Sequence, residues 1–261
     1  MPRPTSKTIF ALIPSASQSS VHYSYLFNLL LKRGHPFYPV MLPSKGSSKN
    51  VTIEDDAKYV REQILLPVLD IEEGDVILIM HSYSGIPGSA AALGLGKAER
   101  AAAGKKTSVL GQIYIASLLI KGGDGGDIIA ALGGKLPPHI VPKKAARILT
   151  REDPAAPLHG DVTPKNFQDD IVMSTLCPSY ASWHSPCPRA SWGSEDFKGR
   201  VAFVRTLMDK VIPLEIQDMM IKGTGEEWIV KDIDTGNNPN LSAPGKICDI
   251  LEELGRQFES L

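Results

Sequence analysis

A chain of 261 residues, 43% of them hydrophobic and 22% charged, has the makeup of a globular protein that buries one large core. Its 28 lysines and arginines stand against 29 acidic residues, and a formal charge of −1 gives no electrostatic reason to expect nucleic acid or an anionic membrane as partner. A small, weakly charged or neutral molecule fits that balance, and association into a homodimer is left open.

In chain order, Met1 to Lys7 is short and polar, and the apolar run after it, Thr8 to Pro14, is too brief for a signal-peptide core or a membrane span. Short apolar runs then recur: Thr8 to Ile13, Pro39 to Leu42, Val76 to Met80, Val109 to Ile115, Val201 to Thr206 and Glu227 to Val230. Between them, helical periodicity predicts helices over 20–33, 53–69, 83–93 and 246–257, the last with Ser242 and Pro244 ahead of it as start signals. Continuous apolar strands alternating with helices indicate a parallel sheet covered on both faces. About 80 residues separate the run ending near Ile120 from Val201, far more than an ordinary connection. Residues 121–200 are therefore expected as a cap inserted into a core of residues 1–120 and 201–261, with a glycine-rich opening, a proline-rich loop and a helical segment near Asn166 to Leu176.

Cofactor and metal signals are absent from the sequence. There is no H-x-x-x-H, carboxylate cluster or Walker loop, and Gly94-Leu95-Gly96 lacks the strand and helix context of a dinucleotide fingerprint. Cys177, Cys187 and Cys248 form no CxxC pair or metal-ligand spacing, and their odd number argues against a disulfide framework. The expectation is a cytoplasmic protein with free thiols, no metal and no cofactor, in which the sequons at Asn50 and Asn240 carry no weight.

The stretch Val76-Ile77-Leu78-Ile79-Met80-His81-Ser82-Tyr83-Ser84-Gly85 runs a buried strand into a turn of small residues and an alanine-rich helix. It resembles the nucleophile elbow of the α/β-hydrolase superfamily, which implies an α/β-hydrolase fold: a mostly parallel, doubly wound sheet with a helical cap insertion. In that resemblance Ser82 is the nucleophile on a strained turn, and the N–H of Tyr83 helps form an oxyanion hole. Met80 and Ser84 stand where the G-x-S-x-G pattern has its glycines. Pro14-Ser15-Ala16-Ser17, after the first strand, occupies the place of a His-Gly or Pro-Gly turn, so the N–H of Ala16 or Ser17 would supply the second oxyanion donor. Asp209, in Leu207-Met208-Asp209-Lys210, is similar to the acid of the triad in the chain order Ser, Asp, His.

The last member of that series departs from the pattern. Gly236-Asn237-Asn238-Pro239-Asn240-Leu241-Ser242-Ala243-Pro244 resembles a segment reading Gly-His-x-Pro-x-Leu-Ser-x-Pro in small bacterial and fungal members, with Asn237 at the histidine. An amide cannot take a proton from serine near neutral pH. Among the other histidines, His81 reads as a buried packing residue, His22 and His35 as surface residues, and His139 and His159 as loop residues of the cap. His184, in Tyr180-Ala181-Ser182-Trp183-His184, lies where the cap returns to the core and could face Ser82 as a substitute base. Tyr180 and Trp183 would suit a hydrophobic, ring-containing ligand.

The resemblance implies chemistry at the carbonyl of a small, largely apolar, polyketide-like ester, lactone or thioester, with Ser82 as nucleophile and a nonstandard base. Two alternatives stand beside it. One is a lyase, isomerase or cyclase of secondary metabolism that keeps the pocket without hydrolysis; the other is a catalytically silent or inactivated hydrolase-like protein.

Overall fold

The computed structural model describes residues 8–152 and 158–261; the polar amino terminus expected at residues 1–7 and a short part of the expected cap lie outside the described residues. Six strands form one sheet: β1 (Thr8–Ile13), β2 (Phe37–Pro39), β3 (Asp75–His81), β4 (Val109–Ile115), β7 (Val201–Thr206) and β8 (Ile229–Ile233). Their order is β2-β1-β3-β4-β7-β8, and every neighbouring pair runs parallel. Strands β5 (Ile140–Lys143) and β6 (Ile148–Arg151) pair antiparallel in a separate ribbon between β4 and β7.

Helices fill the crossovers: α1 (Ser24–Lys32), α2 (Ile53–Tyr59), α3 (Leu66–Asp70), α4 (Gly85–Ala91) and α5 (Lys97–Ala102). The 121–200 segment holds α6 (Ile128–Ala131), α7 (Lys165–Met173) and α8 (Ala181–His184) beside the β5–β6 ribbon. After β7 come α9 (Leu214–Gly223), α10 (Pro239–Ser242) and α11 (Pro244–Ser260).

Successive strand residues point to opposite faces, so an unbroken apolar run serves two cores. Phe10, Leu12, Ile77, Ile79, Ile113, Ile115, Ala202 and Val204 pack under Leu26 and Leu30 of α1 and Ile247, Leu251, Leu254 and Phe258 of α11. Ile9, Ala11, Ile13, Val76, Leu78, Met80, Tyr114 and Phe203 pack on the other face against Ile53 of α2 and the turns that follow it. That division is what fixes the sheet as doubly wound.

Two strands lie away from their expected positions. The ladder of β2 uses Phe37, Tyr38 and Pro39, so the expected run Pro39 to Leu42 shares only Pro39 with it: the N–H of Val40 still reaches the Leu12 carbonyl, and Leu42 is buried by packing beyond the strand. Strand β8 starts two residues later than expected and continues through Lys231 and Asp232, because an edge strand tolerates polar residues that break an apolar run. The β5–β6 ribbon has no counterpart among the expected elements. Its sequence, with Pro142, Lys143 and Lys144, carries no period-two pattern of apolar residues.

Gly111 shows how closely α11 approaches the sheet. A Cβ added there would lie 2.2 Å from Cδ2 of Phe258. Gly111→Ala therefore forces the Phe258 ring aside, and overpacking of this kind costs about 1–3 kcal/mol. Thermal unfolding of Gly111→Ala should show a midpoint lowered by roughly 2–4 °C per kcal/mol. Phe258→Leu should cost less in that background than in the unmodified chain, and an additive pair of effects would show that the two residues are not in contact.

Candidate active site

Ser82 sits where β3 ends and a single 3-10 turn, Ser82–Ser84, leads into α4. Its φ of 57° lies in the left-handed region, which costs a residue with a side chain of the order of 1–3 kcal/mol. The neighbouring strand supplies what holds it there: the carbonyl of Ser82 accepts from Ser117 Oγ at 2.7 Å and from the N–H of Leu118 at 3.0 Å. Gly85 makes room for that contact, since a Cβ on it would stand 2.3 Å from Ser117 Oγ and 2.6 Å from the Leu118 carbonyl.

The two residues that depart from the glycine pattern are each accommodated. Met80 is fully buried, and its side chain fills the space left by Gly88 of α4, where a Cβ would lie 2.7 Å from both Cγ and Sδ. Ser84 uses its hydroxyl to close the strand end: Oγ donates toward the carbonyls of Ile13 and His81 and accepts from the N–H of His81 at 2.8 Å. Glycine at 84 would forfeit that link between β1 and β3.

Asp209, after β7, and Asn237, after β8, meet directly: Asn237 Nδ2 donates to Asp209 Oδ2 at 2.8 Å. The carboxylate also accepts from Thr206 Oγ1 and from the N–H groups of Val211 and Ile212. Burial pushes the Asp209 carboxyl up, and these four hydrogen bonds work against it. Asn237 is fully buried and its Oδ1 has no hydrogen-bond partner among the described residues.

His81 joins this pair to the elbow. Its Nε2 lies 2.8 Å from the carbonyl of Asn237, and its Nδ1 lies 2.5 Å from the hydroxyl of Tyr23. Tyr23 Oη also faces Gln18 Oε1 at 2.6 Å and accepts from the N–H of Ser15, so its one proton is shared between two acceptors. Gln18 Nε2 in turn donates to Asn238 Oδ1 at 2.6 Å. Loops following β1, β3, β7 and β8 are thus tied together at the carboxyl edge of the sheet, where open α/β sheets bind ligands.

Ala16 and Ser17 occupy the turn after β1, which the N–H of Gln18 closes onto the carbonyl of Ser15. Neither central N–H finds a hydrogen-bond acceptor among the described residues, and the Ser17 hydroxyl is buried without a partner. Tyr83 stacks on Trp183 with ring planes 10° apart and donates its hydroxyl to Asp56 Oδ2 at 2.8 Å. Trp183 brings a buried Nε1 that also lacks a partner.

His184 is placed differently. Its Nδ1 sits 2.9 Å from the carbonyl of Tyr180 and its ring stacks on Tyr180 at 3.7 Å between centroids. No hydrogen bond links it to Ser82, Asp209 or Asn237. Tyr180 is thereby occupied as a platform for His184. His159, expected as an ordinary cap loop residue, is instead fully buried against the 236–238 loop: Asn238 Nδ2 lies 3.2 Å from its Nδ1, and its Nε2 has no partner among the described residues. Burial, with Arg151 adding to it, lowers this ring to about 3. His22 is likewise buried and not a surface residue, its ring lodged between Ser19 and the carbonyl of Ile171.

Lys45, Asp56, Gln18 and Tyr23 were not singled out by the sequence. Lysine and aspartate are usually exposed, and no motif distinguishes Lys45 or Asp56 from surface charges in Ser47-Ser48-Lys49 and Glu54-Asp55. Among the described residues, no group of three or more His, Cys, Asp or Glu is arranged to hold a metal, and no helix is long and apolar enough to cross a membrane.

Comparison with known proteins gives a consistent picture. The profile of the alpha/beta hydrolase family matches residues 10–250. Probable hydrolase R7 of Phoma sp. (strain ATCC 20986 / MF5453) is 23% identical over 255 residues, spanning 95% of this chain and 98% of that one. A pyrethroid hydrolase from Sphingobium faniae JZ-2 superposes with a TM-score of 0.70 at 20% identity, covering 97% of this chain and 98% of its own. Tomato methylketone synthase I, solved with 2-tridecanone, superposes with a TM-score of 0.72 at 16% identity, covering 97% and 100%.

The burial of His81 generates a measurable expectation. Desolvation lowers its imidazole to about 4, with the Asn237 carbonyl opposing and Lys45 adding to the effect. The folded value lies below the ordinary 6.5, so the stability this ring contributes is complete above 6.5 and is lost as the pH falls toward 4. Nitrogen-15 NMR of the histidine rings should show His81 neutral, with its proton on Nε2, down to about pH 5. A ring that takes up a second proton near its ordinary value would contradict this arrangement.

Proposed function

Because the chain belongs to the alpha/beta hydrolase family, we propose that it acts at the carbonyl of a small, largely apolar ester, lactone or thioester of polyketide-like character, bound beneath a cap formed by residues 121–200. In this reading Ser82 is the attacking or donating hydroxyl, and the N–H groups of Tyr83 and of Ala16 or Ser17 receive the oxyanion. Asp209 and Asn237 hold the positions of the carboxylate and the histidine. The observation that carries the proposal is the left-handed backbone of Ser82 at the end of a buried strand, on the same sheet edge as the 2.8 Å Asp209–Asn237 hydrogen bond. Strain of that size persists only where the surroundings impose it.

Attack by a serine oxygen requires that its proton go elsewhere as the carbon–oxygen bond forms. Asn237 Oδ1 accepts a hydrogen bond but does not become protonated near neutral pH. Serine attack in this chain therefore relies on solvent or on a group the substrate brings, and should be slow on generic esters. Trp183 and Tyr83 favour a substrate with apolar, ring-like bulk.

A second reading is non-hydrolytic lyase, isomerase or cyclase chemistry in the same site. The unpartnered Oδ1 of Asn237 favours it, as an acceptor for a substrate O–H that a histidine would otherwise deprotonate. The name of methylketone synthase I, borne by a protein of this fold, is compatible with that reading.

The test is turnover of aryl esters by the unmodified chain and by Asn237→His. Restoring a general base is worth about 10² to 10⁴-fold, so Asn237→His should raise ester hydrolysis by that order, and Ser82→Ala should remove the gain. If Asn237→His changes nothing and Ser82→Ala leaves the native reaction intact, serine catalysis is wrong and the shaped pocket alone directs the chemistry.

A further inference from the structure

The turn that carries Ala16 and Ser17 is gripped from behind by a buried ammonium group. Lys45, in the loop after β2, is only 5% exposed, and its Nζ donates to the carbonyl of Pro14 at 2.9 Å and to that of Gln18 at 2.8 Å. These two carbonyls bracket the four-residue turn on either side. Two further hydrogen bonds fasten the turn: the Ser17 carbonyl accepts from the N–H of Leu176, and the N–H of Ser15 donates to the hydroxyl of Tyr23. Carbonyls are thus drawn back while the central N–H groups of Ala16 and Ser17 stay unpaired.

A lone lysine in such a place is expensive, since burial of an ammonium without an opposite charge costs several kcal/mol. The neighbouring opposite charge is Asp56 of α2, itself fully buried, which raises the proton affinity of Lys45. No direct ion pair joins them among the described residues. Asp56 instead spends its oxygens on the N–H and hydroxyl of Ser44, the residue before Lys45, and on the hydroxyl of Tyr83. The couple therefore reaches both halves of the proposed oxyanion site: the ammonium fixes the turn of Ala16, and the carboxylate fixes the side chain of Tyr83.

We propose that Lys45 is a positioning residue for the oxyanion site, acting through the Pro14–Gln18 turn and its positive charge without touching the substrate. The inference rests on the proposed function, because it takes the N–H of Ala16 or Ser17 as an oxyanion donor. It explains why the chain tolerates a buried lysine there. A neutral side chain of similar length would fill the space, but would neither draw both carbonyls back nor bring positive charge toward a developing oxyanion.

The same geometry makes the site pH-sensitive. Burial lowers the Lys45 ammonium to about 7, Asp56 opposing. The other titratable groups around it are Tyr83 after β3, His81 on β3, His22 and Tyr23 in the turn before α1, and Cys177 from the cap side, whose carbonyl accepts from the N–H of Gly46. His22 and His81 are both lowered by burial with Lys45 contributing, and so titrate below Lys45, whereas Tyr23 and Tyr83 are raised by burial and titrate above it. Lys45 is charged below about 7 and loses that charge as the pH rises through it.

Phosphonylation of Ser82 by an aryl fluorophosphonate reads the oxyanion site without requiring turnover, and should be followed against pH for the unmodified chain, Lys45→Met and Lys45→Arg, each also with Asn237→His. Lys45→Met should lower the rate constant about tenfold on the acid side, short of the 10² to 10³ lost with an oxyanion donor itself. The ratio to the unmodified chain should shrink as the pH passes about 7. Lys45→Arg should recover part of the loss, and the gain from Asn237→His should persist in Lys45→Met. Should Lys45→Met fail to give a cooperative thermal transition, Lys45→Gln carries the same comparison. A folded Lys45→Met with an unchanged rate, or a loss equal at every pH, overturns the inference while leaving the serine reading in place. Failure of Ser82 to be labelled in every variant, Asn237→His included, overturns the functional reading and this inference with it.

Discussion

The left-handed turn at Ser82 is the constraint around which the rest of this molecule is arranged. A serine with φ of 57° does not hold itself there, and its carbonyl is secured by Ser117 and Leu118 at the end of β4. That contact needs the absence of a side chain at Gly85, and the strand behind it needs the absence of one at Gly88, because Met80 fills that space. Five residues, on β3, on α4 and in the loop after β4, thus hold one backbone angle. The two-sided core supplies the stiffness: β3 is buried along its entire length between helices on both faces, so the strand end cannot relax toward a regular turn.

Buried polar atoms without partners gather around the proposed site. Buried side-chain polar groups are nearly always hydrogen-bonded, and leaving one unsatisfied costs about 1–3 kcal/mol. Among the described residues the exceptions are Ser17, His159, Trp183, Ser194 and Asn237. Ser17, Trp183 and Asn237 belong to the proposed site, and His159 packs on the loop that carries Asn237. Tyr23, Gln18, Lys45, Asp56 and Ser84, in the same region, are by contrast each hydrogen-bonded.

Much of this was legible in the sequence, and the parts that were not share a physical reason. The alternation of apolar runs and helices pointed to the parallel sheet, and the resemblance of the stretch around Ser82 to a nucleophile elbow placed the strand-to-helix turn, because both are local patterns. Strand β8 and the β5–β6 ribbon were misplaced or missed where pairing, not apolar periodicity, defines the element. Met80 looks like an obstacle in the motif until Gly88, eight residues on, is seen to receive it. Lys45 and Asp56 carried no signal at all. Their role comes from the carbonyls of Pro14 and Gln18 and the hydroxyl of Tyr83, which only the folded chain brings near them.

In the proposed reading, Asn237 keeps the geometry of a catalytic histidine while its proton chemistry is withdrawn. One face of the amide donates to Asp209 at 2.8 Å, the interaction an imidazole N–H would make, so the carboxylate keeps a partner and the loop keeps its position. Its backbone carbonyl is bound by His81, which fixes the 237 loop to the residue before Ser82. The opposite face, Oδ1, has no hydrogen-bond partner among the described residues, and in the proposed reading it is an acceptor where imidazole would be a base. An acceptor that cannot be protonated selects a donor that need not be deprotonated. In the proposed site that describes an O–H held in place, whether of Ser82 or of the substrate, and it separates orientation of the hydroxyl from removal of its proton.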